Sequence, residues 1–153
     1  MENHELAYMA KKILHHDFCG VYSIDNVNKG IYEKENFSII LNLDKSTGPG
    51  THFVSVYATK DTLEYVDSFG FPPFISHVLR MLKKLCKRRK FVYNEKTIQP
   101  DKSHFCGLYS LAYLLSKDFG FTLREYQRIF TENPIENNDI LVEEFISELL
   151  KYS

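Results

Sequence analysis

The sequence predicts an α+β fold with a central, mainly antiparallel sheet flanked by helices, and three observations carry that prediction. The runs His52–Tyr57 and Leu63–Asp67 alternate, are rich in β-branched and aromatic residues, and are joined by a short polar link, as in a hairpin. Apolar residues recur at helical spacing towards both ends of the chain. Between these regions the turn-rich stretch Gln99-Pro-Asp-Lys-Ser-His-Phe-Cys-Gly-Leu108 gives way to an apolar helix-period run, with Cys106 at the junction. The hairpin is expected at the heart of the sheet, with the Cys106 helix packed against it.

The totals set the class. The 153 residues suit a single domain, 1–153, with room for a genuine core, and neither a repeat nor a low-complexity linker marks a boundary. Hydrophobic residues make up 44% and charged ones 25%, the balance of a soluble globular chain. A net charge of −1 argues against general nucleic-acid binding. Three widely spaced cysteines without a C-x-x-C pair speak against a disulfide framework or a cysteine zinc site, and fit a reducing, intracellular compartment. The N-terminal stretch does not read as a signal peptide, and no run reaches the ~18 apolar residues of a membrane span. Neither a metal nor a cofactor is expected.

Taken in order, residues 3–16 read as an amphipathic helix with Leu6, Met9, Ala10 and Ile13 on one face. Residues 18–25 look extended, broken at Gly20, with Cys19 expected to be a small buried hydrophobe. Phe37–Leu43 is a strand candidate, followed by a turn over 44–50. After the hairpin, Ser68-Phe-Gly-Phe-Pro-Pro73 cannot continue a central strand. Residues 74–88 form the next helix, and its basic end, 83–90, complements the helix dipole; a local anionic contact is the functional alternative. Cys86 lies within that basic stretch without an evident partner. Residues 91–94 make a short strand, and helices follow over 106–118, 122–131 and 136–151. Thr122 with Glu125 forms a capping box on the second of these.

The chemistry centres on Cys106. A thiol at a helix start meets free N–H groups and a positive dipole end, which favour thiolate and can also hold an oxyanion. Gln99 could supply a second donor. Such a nucleophile needs an imidazole and an orienting group. His4, His15 and His16 belong to the first helix, where packing or solvation is expected, and His77 sits in a helix with no evident role. His104, two residues from Cys106, faces away from it. His52, at the head of one hairpin strand, lies opposite the end of the next, where Asp67 stands. The alternative is structural: Cys106 buried in its helix, His52 packed at a turn and Asp67 capping it.

These residues carry a resemblance. Gly-Pro-Gly-Thr-His-Phe-Val-Ser-Val-Tyr, then Glu-Tyr-Val-Asp-Ser-Phe-Gly-Phe, then Gln99 and Cys106-Gly-Leu-Tyr, in the order His, Asp, Gln, Cys, resemble the adenovirus protease (adenain) family. Its clan also holds the proteases that remove SUMO and NEDD8. The resemblance covers about residues 37–120, with a weaker echo in Phe18-Cys-Gly-Val-Tyr-Ser23. It points to adenain-like enzymes of large DNA viruses or virus-like transposons. It implies Cys106 as nucleophile, His52 as base and acid, Asp67 as orienting group, and Gln99 with the Cys106 N–H as oxyanion hole. It further implies substrate contacts from Phe53, where much of the family has Trp, and from Gly107.

The implied activity is a cysteine endopeptidase cutting Gly-x-Gly or Gly-Gly sites, maturing viral capsid or core precursors in the virion or the host cytoplasm or nucleus. A deconjugase acting on ubiquitin-like modifiers is one alternative, and a catalytically inactive binding module of the same fold is another. The family's activating peptide is held partly through a disulfide, for which the loop before Gln99 offers no cysteine. DNA, the other family activator, is disfavoured by the near-neutral charge, and a membrane is not an expected partner.

Overall fold

The computed structural model describes residues 1–44 and 52–153, so the turn expected over 44–50 lies, from Lys45 on, outside the described residues. Five strands, β1 (Phe18–Ser23), β2 (Phe37–Asn42), β3 (Phe53–Ala58), β4 (Thr62–Val66) and β5 (Lys90–Tyr93), form one sheet in the order of the chain. The inner pairings, β2 with β3 and β3 with β4, are antiparallel, as the period-two pattern implied. The outer ones, β1 with β2 and β4 with β5, are parallel. The sheet is therefore mixed, and the antiparallel expectation holds for its centre. Each parallel pairing follows a long connection, and between β4 and β5 that connection contains the helix α2 (Ser76–Leu85).

Alternation along the strands divides the core into two layers. Ile39, Leu41, Val54, Val56, Leu63 and Tyr65 face α2, burying Val78, Met81, Leu82 and Leu85. Ile40, Phe53 and Val66 face the other way, into a layer built by α1 (Asn3–Ile13), α3 (Cys106–Asp118), α4 (Leu123–Thr131) and α5 (Asn138–Lys151). With helices on both faces, every residue of β2 is buried. In α3 all residues from Cys106 to Ser116 are buried as well. A helix apolar all round belongs inside a protein, which is why Leu108–Leu115 reads as a continuous run rather than a stripe.

Helix boundaries moved where side chains found other work. The first helix stops at Ile13, with Leu14 at its cap, which releases His16. His16 Nδ1 lies 2.7 Å from Asp118 Oδ1 and its Nε2 lies 2.7 Å from Ser38 Oγ. This has the look of a catalytic triad, but Ser38 is fully buried in β2, beyond the reach of any substrate carbonyl. The group acts as a clasp between β2 and the end of α3. The second helix ends at Leu85 rather than running to 88. Beyond it, Arg89 donates to the carbonyls of Thr59, Leu85, Lys34 and Glu35 at 2.6–2.9 Å, so one cation of the basic run is structural. The Thr122–Glu125 capping box at the start of α4 is formed as read.

Two glycines with left-handed backbone offer a controlled comparison. Gly70 has φ +82°, and a Cβ there would stand 2.9 Å from backbone atoms of Lys96 and Thr97. Gly120 has φ +78° with open space around it. Gly120→Ala should therefore cost only the conformational strain, about 1 kcal/mol, and Gly70→Ala more, roughly 3 kcal/mol, because backbone must also move. Urea unfolding of the two variants checks the order.

Candidate active site

The hairpin ladder places the first two groups. Continuing its register beyond Ser55 and Val66 sets His52 across from Phe69, with Asp67 beside it. His52 precedes β3 and is anchored by its carbonyl, which accepts the Leu43 N–H at 2.8 Å. Asp67 follows β4. Its Oδ1 lies 3.0 Å from His52 Nε2, close in distance but not aligned as a linear hydrogen bond. Resting catalytic contacts commonly have this geometry and tighten around substrate. The Phe69 ring stacks on the imidazole at 5.3 Å and 24°, fixing the plane of the ring.

Asp67 is itself held from every side. Its carboxylate accepts the Phe69 N–H at 2.8 Å, closing an Asx turn, and its carbonyl accepts the Gly70 N–H. Its N–H donates to Asn94 Oδ1 at 2.9 Å, and Asn94 Nδ2 donates back to its carbonyl at 2.7 Å. The next residues continue this zipper: the Ser68 carbonyl accepts the N–H groups of Ile98 and Gln99, and Thr97 Oγ1 donates to the Phe69 carbonyl. The acid loop and the Gln99 loop thus form one unit.

Cys106 is the first residue of α3, and its N-cap, Phe105, makes no side-chain hydrogen bond, so no capping oxygen competes for the first-turn N–H groups. The sulfur accepts the Phe53 N–H at 3.4 Å. It also meets the imidazole of His52. Burial opposes charge on that ring, yet the contacts with Asp67 and with Cys106 outweigh it and raise the His52 pKa from 6.5 to about 9.

The structure thus brings together His52, Asp67 and Cys106, and ties Gln99 to the same unit. Gln99 is fully buried; its Oε1 accepts a short hydrogen bond from Ser68 Oγ, and its Nε2 donates to the carbonyl and hydroxyl of Ser103 at 3.1 and 3.0 Å. Two expectations are corrected. Phe53 is 2% exposed and packs into the core beneath Cys106, so its ring presents no surface to a substrate; β3 alternation turns it inward. Gly107 is buried too: a Cβ there would press on Met1, Leu6 and Phe53 at 3.1–3.5 Å, so its lack of a side chain serves close packing. Phe69 and Asn94 were not singled out from the sequence. The hairpin register could have found Phe69; Asn94 acts across loops and leaves no local signal. Among the described residues no group of three or more His, Cys, Asp or Glu side chains is placed to hold a metal ion, and no helix is long and apolar enough to cross a membrane.

Neither a protein-family model nor a curated protein sequence matches this chain. Solved structures do. The ASFV pS273R protease superposes with a TM-score of 0.58 at 23% identity, over 75% of this chain and 44% of that one. The SUMO protease Ulp1, with its catalytic cysteine oxidised to a sulfonic acid, gives 0.54 at 13% identity, over 82% and 72%. The central domain of the uncharacterized Lpg1148 protein from Legionella pneumophila gives 0.57 at 17% identity, over 99% and 98%. The fold is therefore that of the adenain- and Ulp1-like cysteine proteases, and this chain spans about half the length of the ASFV protease chains it matches.

A raised His52 pKa has a fixed sign in stability. The folded state favours the imidazolium, so this contribution is complete below the unfolded value of 6.5 and is lost as pH rises through about 9. The stability margin of wild type over His52→Gln, measured by guanidinium unfolding, should be larger at pH 6 than at pH 10.

Proposed function

We propose that this chain is a cysteine peptidase whose catalytic domain is residues 1–153. The observation that carries the proposal is a half-buried imidazole set between a carboxylate and a cysteine at an uncapped helix start. Cys106 Sγ, as thiolate, attacks the carbonyl carbon of the scissile bond. The oxyanion that forms is held by the Cys106 N–H and a Gln99 Nε2 hydrogen, a donor whose removal typically lowers kcat about 10²–10³-fold. His52, protonated at neutral pH, gives its proton to the leaving amine as the C–N bond breaks and a thioester remains. Neutral His52 then takes a proton from water, the hydroxide adds to the thioester, and Cys106 departs as thiolate. Asp67 keeps the imidazole oriented and stabilises its charge throughout.

The substrates under this reading are polypeptides, which the likeness to the ASFV protease supports. Cleavage at Gly-x-Gly or Gly-Gly sites, as in maturation of viral precursor proteins, is what the sequence resemblance implies. The likeness to Ulp1 supports a second reading, removal of a ubiquitin-like modifier after Gly-Gly. A Gly-x-Gly peptide and a SUMO–aminomethylcoumarin conjugate separate the two. Turnover of the peptide alone supports the endopeptidase; turnover of the conjugate alone makes the chain a deconjugase. Cys106→Ala should abolish either activity, and equal cleavage by wild type and variant would refute the assignment.

The pH profile supplies a second check. Because His52 must be protonated to release the amine, kcat/KM should fall above pH values of about 9. Asp67→Asn removes a contact that holds the imidazolium, so the alkaline limb should move to lower pH while the overall rate drops.

A further inference from the structure

Gln99 acts in the proposed mechanism through an amide that can point either way. One end of a carboxamide donates and the other accepts, and only the donor end can serve an oxyanion. The structure surrounds that amide with groups that permit one orientation. Ser68 Oγ donates to Oε1, and Nε2 donates towards Ser103, whose carbonyl and hydroxyl oxygens lie at 3.1 and 3.0 Å. A hydroxyl could turn and donate instead, which would suit the reversed amide. It cannot do so here, because Ser103 Oγ gives its hydrogen to Asp139 Oδ1 at 2.7 Å. The oxygen of Ser103 is left to accept, from Gln99 and from the Phe105 N–H at 3.1 Å. Tyr109 OH, on the nucleophile helix, donates to the same Asp139 oxygen at 2.8 Å and holds the carboxylate in place.

The neighbouring residue secures the backbone. Asn138 is fully buried, and its Nδ2 donates to the Ile98 carbonyl, directly before Gln99, at 2.8 Å and to the Phe130 carbonyl at 2.9 Å. Its Oδ1 is buried without a hydrogen-bond partner, so the two donated bonds are what keep an asparagine in this place. Both residues open α5, far in sequence from the loop they control.

We infer that Asp139, through Ser103, and Asn138, through the Ile98 carbonyl, are positioning residues that set the direction and place of the Gln99 amide, so that the start of α5 preorganises the oxyanion donor. This rests on the reading of Gln99 as that donor. Neither residue touches substrate; each acts only through Gln99.

A double-mutant cycle of Asp139→Ala with Gln99→Ala tests it, using whichever of the two substrates above the wild type turns over. Asp139→Ala should lower kcat by about tenfold to a hundredfold, less than outright loss of the donor, with KM nearly unchanged. It should leave alkylation of Cys106 by iodoacetamide at the wild-type rate, since that reaction forms no oxyanion. Adding Asp139→Ala to Gln99→Ala should lower kcat no further. Asp139→Asn, which retains an accepting oxygen, should recover most of the activity. Additive losses, or equal falls in kcat and alkylation rate, would overturn the inference. If Asp139→Ala does not fold, Ser103→Ala is held to the same pattern of results. Full activity of Gln99→Ala would instead remove the oxyanion reading and the inference with it, so the two failures are distinguishable.

Discussion

One carboxylate oxygen organises the centre of this molecule. Oδ1 of Asp67 receives the Phe69 N–H and stands against the His52 ring, so the same atom closes a turn and fixes an imidazole. The turn it closes needs Gly70, since no side chain fits between it and the Lys96–Thr97 backbone. That close approach lets the acid loop lie along the Gln99 loop and exchange hydrogen bonds with it residue by residue. Were the carboxylate to shift, the ring, the turn and the Gln99 loop would move together. Buried charges of this kind destabilise a fold unless they are met; the Phe69 N–H and the His52 ring stand against Oδ1, while Asn94 holds the Asp67 backbone in place.

The two core layers serve this arrangement from opposite sides. The α2 layer packs on the back of the hairpin, while the α3 layer carries Cys106 to its front. Because α3 is enclosed along its length, Cys106 has little freedom along or around the helix axis. Among the buried polar side chains, Asn94, Gln99 and Asn138 tie together the loops before this helix, while others, such as Ser38 and Asn42, lie within the sheet. An orphaned buried acceptor such as Asn138 Oδ1 costs about 1–3 kcal/mol, and Ser55 Oγ within β3 is buried without a partner as well.

What the sequence made legible was whatever is local or periodic. The hairpin, its register, and hence the meeting of His52 with Asp67 follow from alternation over a short span. Cys106 at a helix start follows from turn formers giving way to an apolar run. The parallel outer pairings were less evident, because parallel neighbours are joined by long connections that leave no turn signature. Phe53 was misjudged because an aromatic beside a candidate base suggests contact with substrate, whereas strand alternation turns it toward α1 and α3. The partners Asn94, Ser103 and Asp139 stayed hidden since a polar residue in a loop or first helical turn looks alike whether it meets water or a buried amide. His16 and Arg89 were read as members of helix-end runs, and their carbonyl, carboxylate and hydroxyl partners arrive from distant segments.

The sheet order has a consequence for how the molecule assembles. Every strand pairs with the strand before or after it in the chain, so the sheet can grow outward from the tight β3–β4 hairpin, with the longer connections of the parallel pairs closing onto it. His52 and Asp67 come together as soon as one hairpin forms. Cys106 and the α5 residues around Gln99 come from later in the chain and depend on closing longer loops. The site is thus completed after the scaffold that bears it, and a partly folded chain holds the His52 imidazole and the Asp67 carboxylate together without the Cys106 thiol.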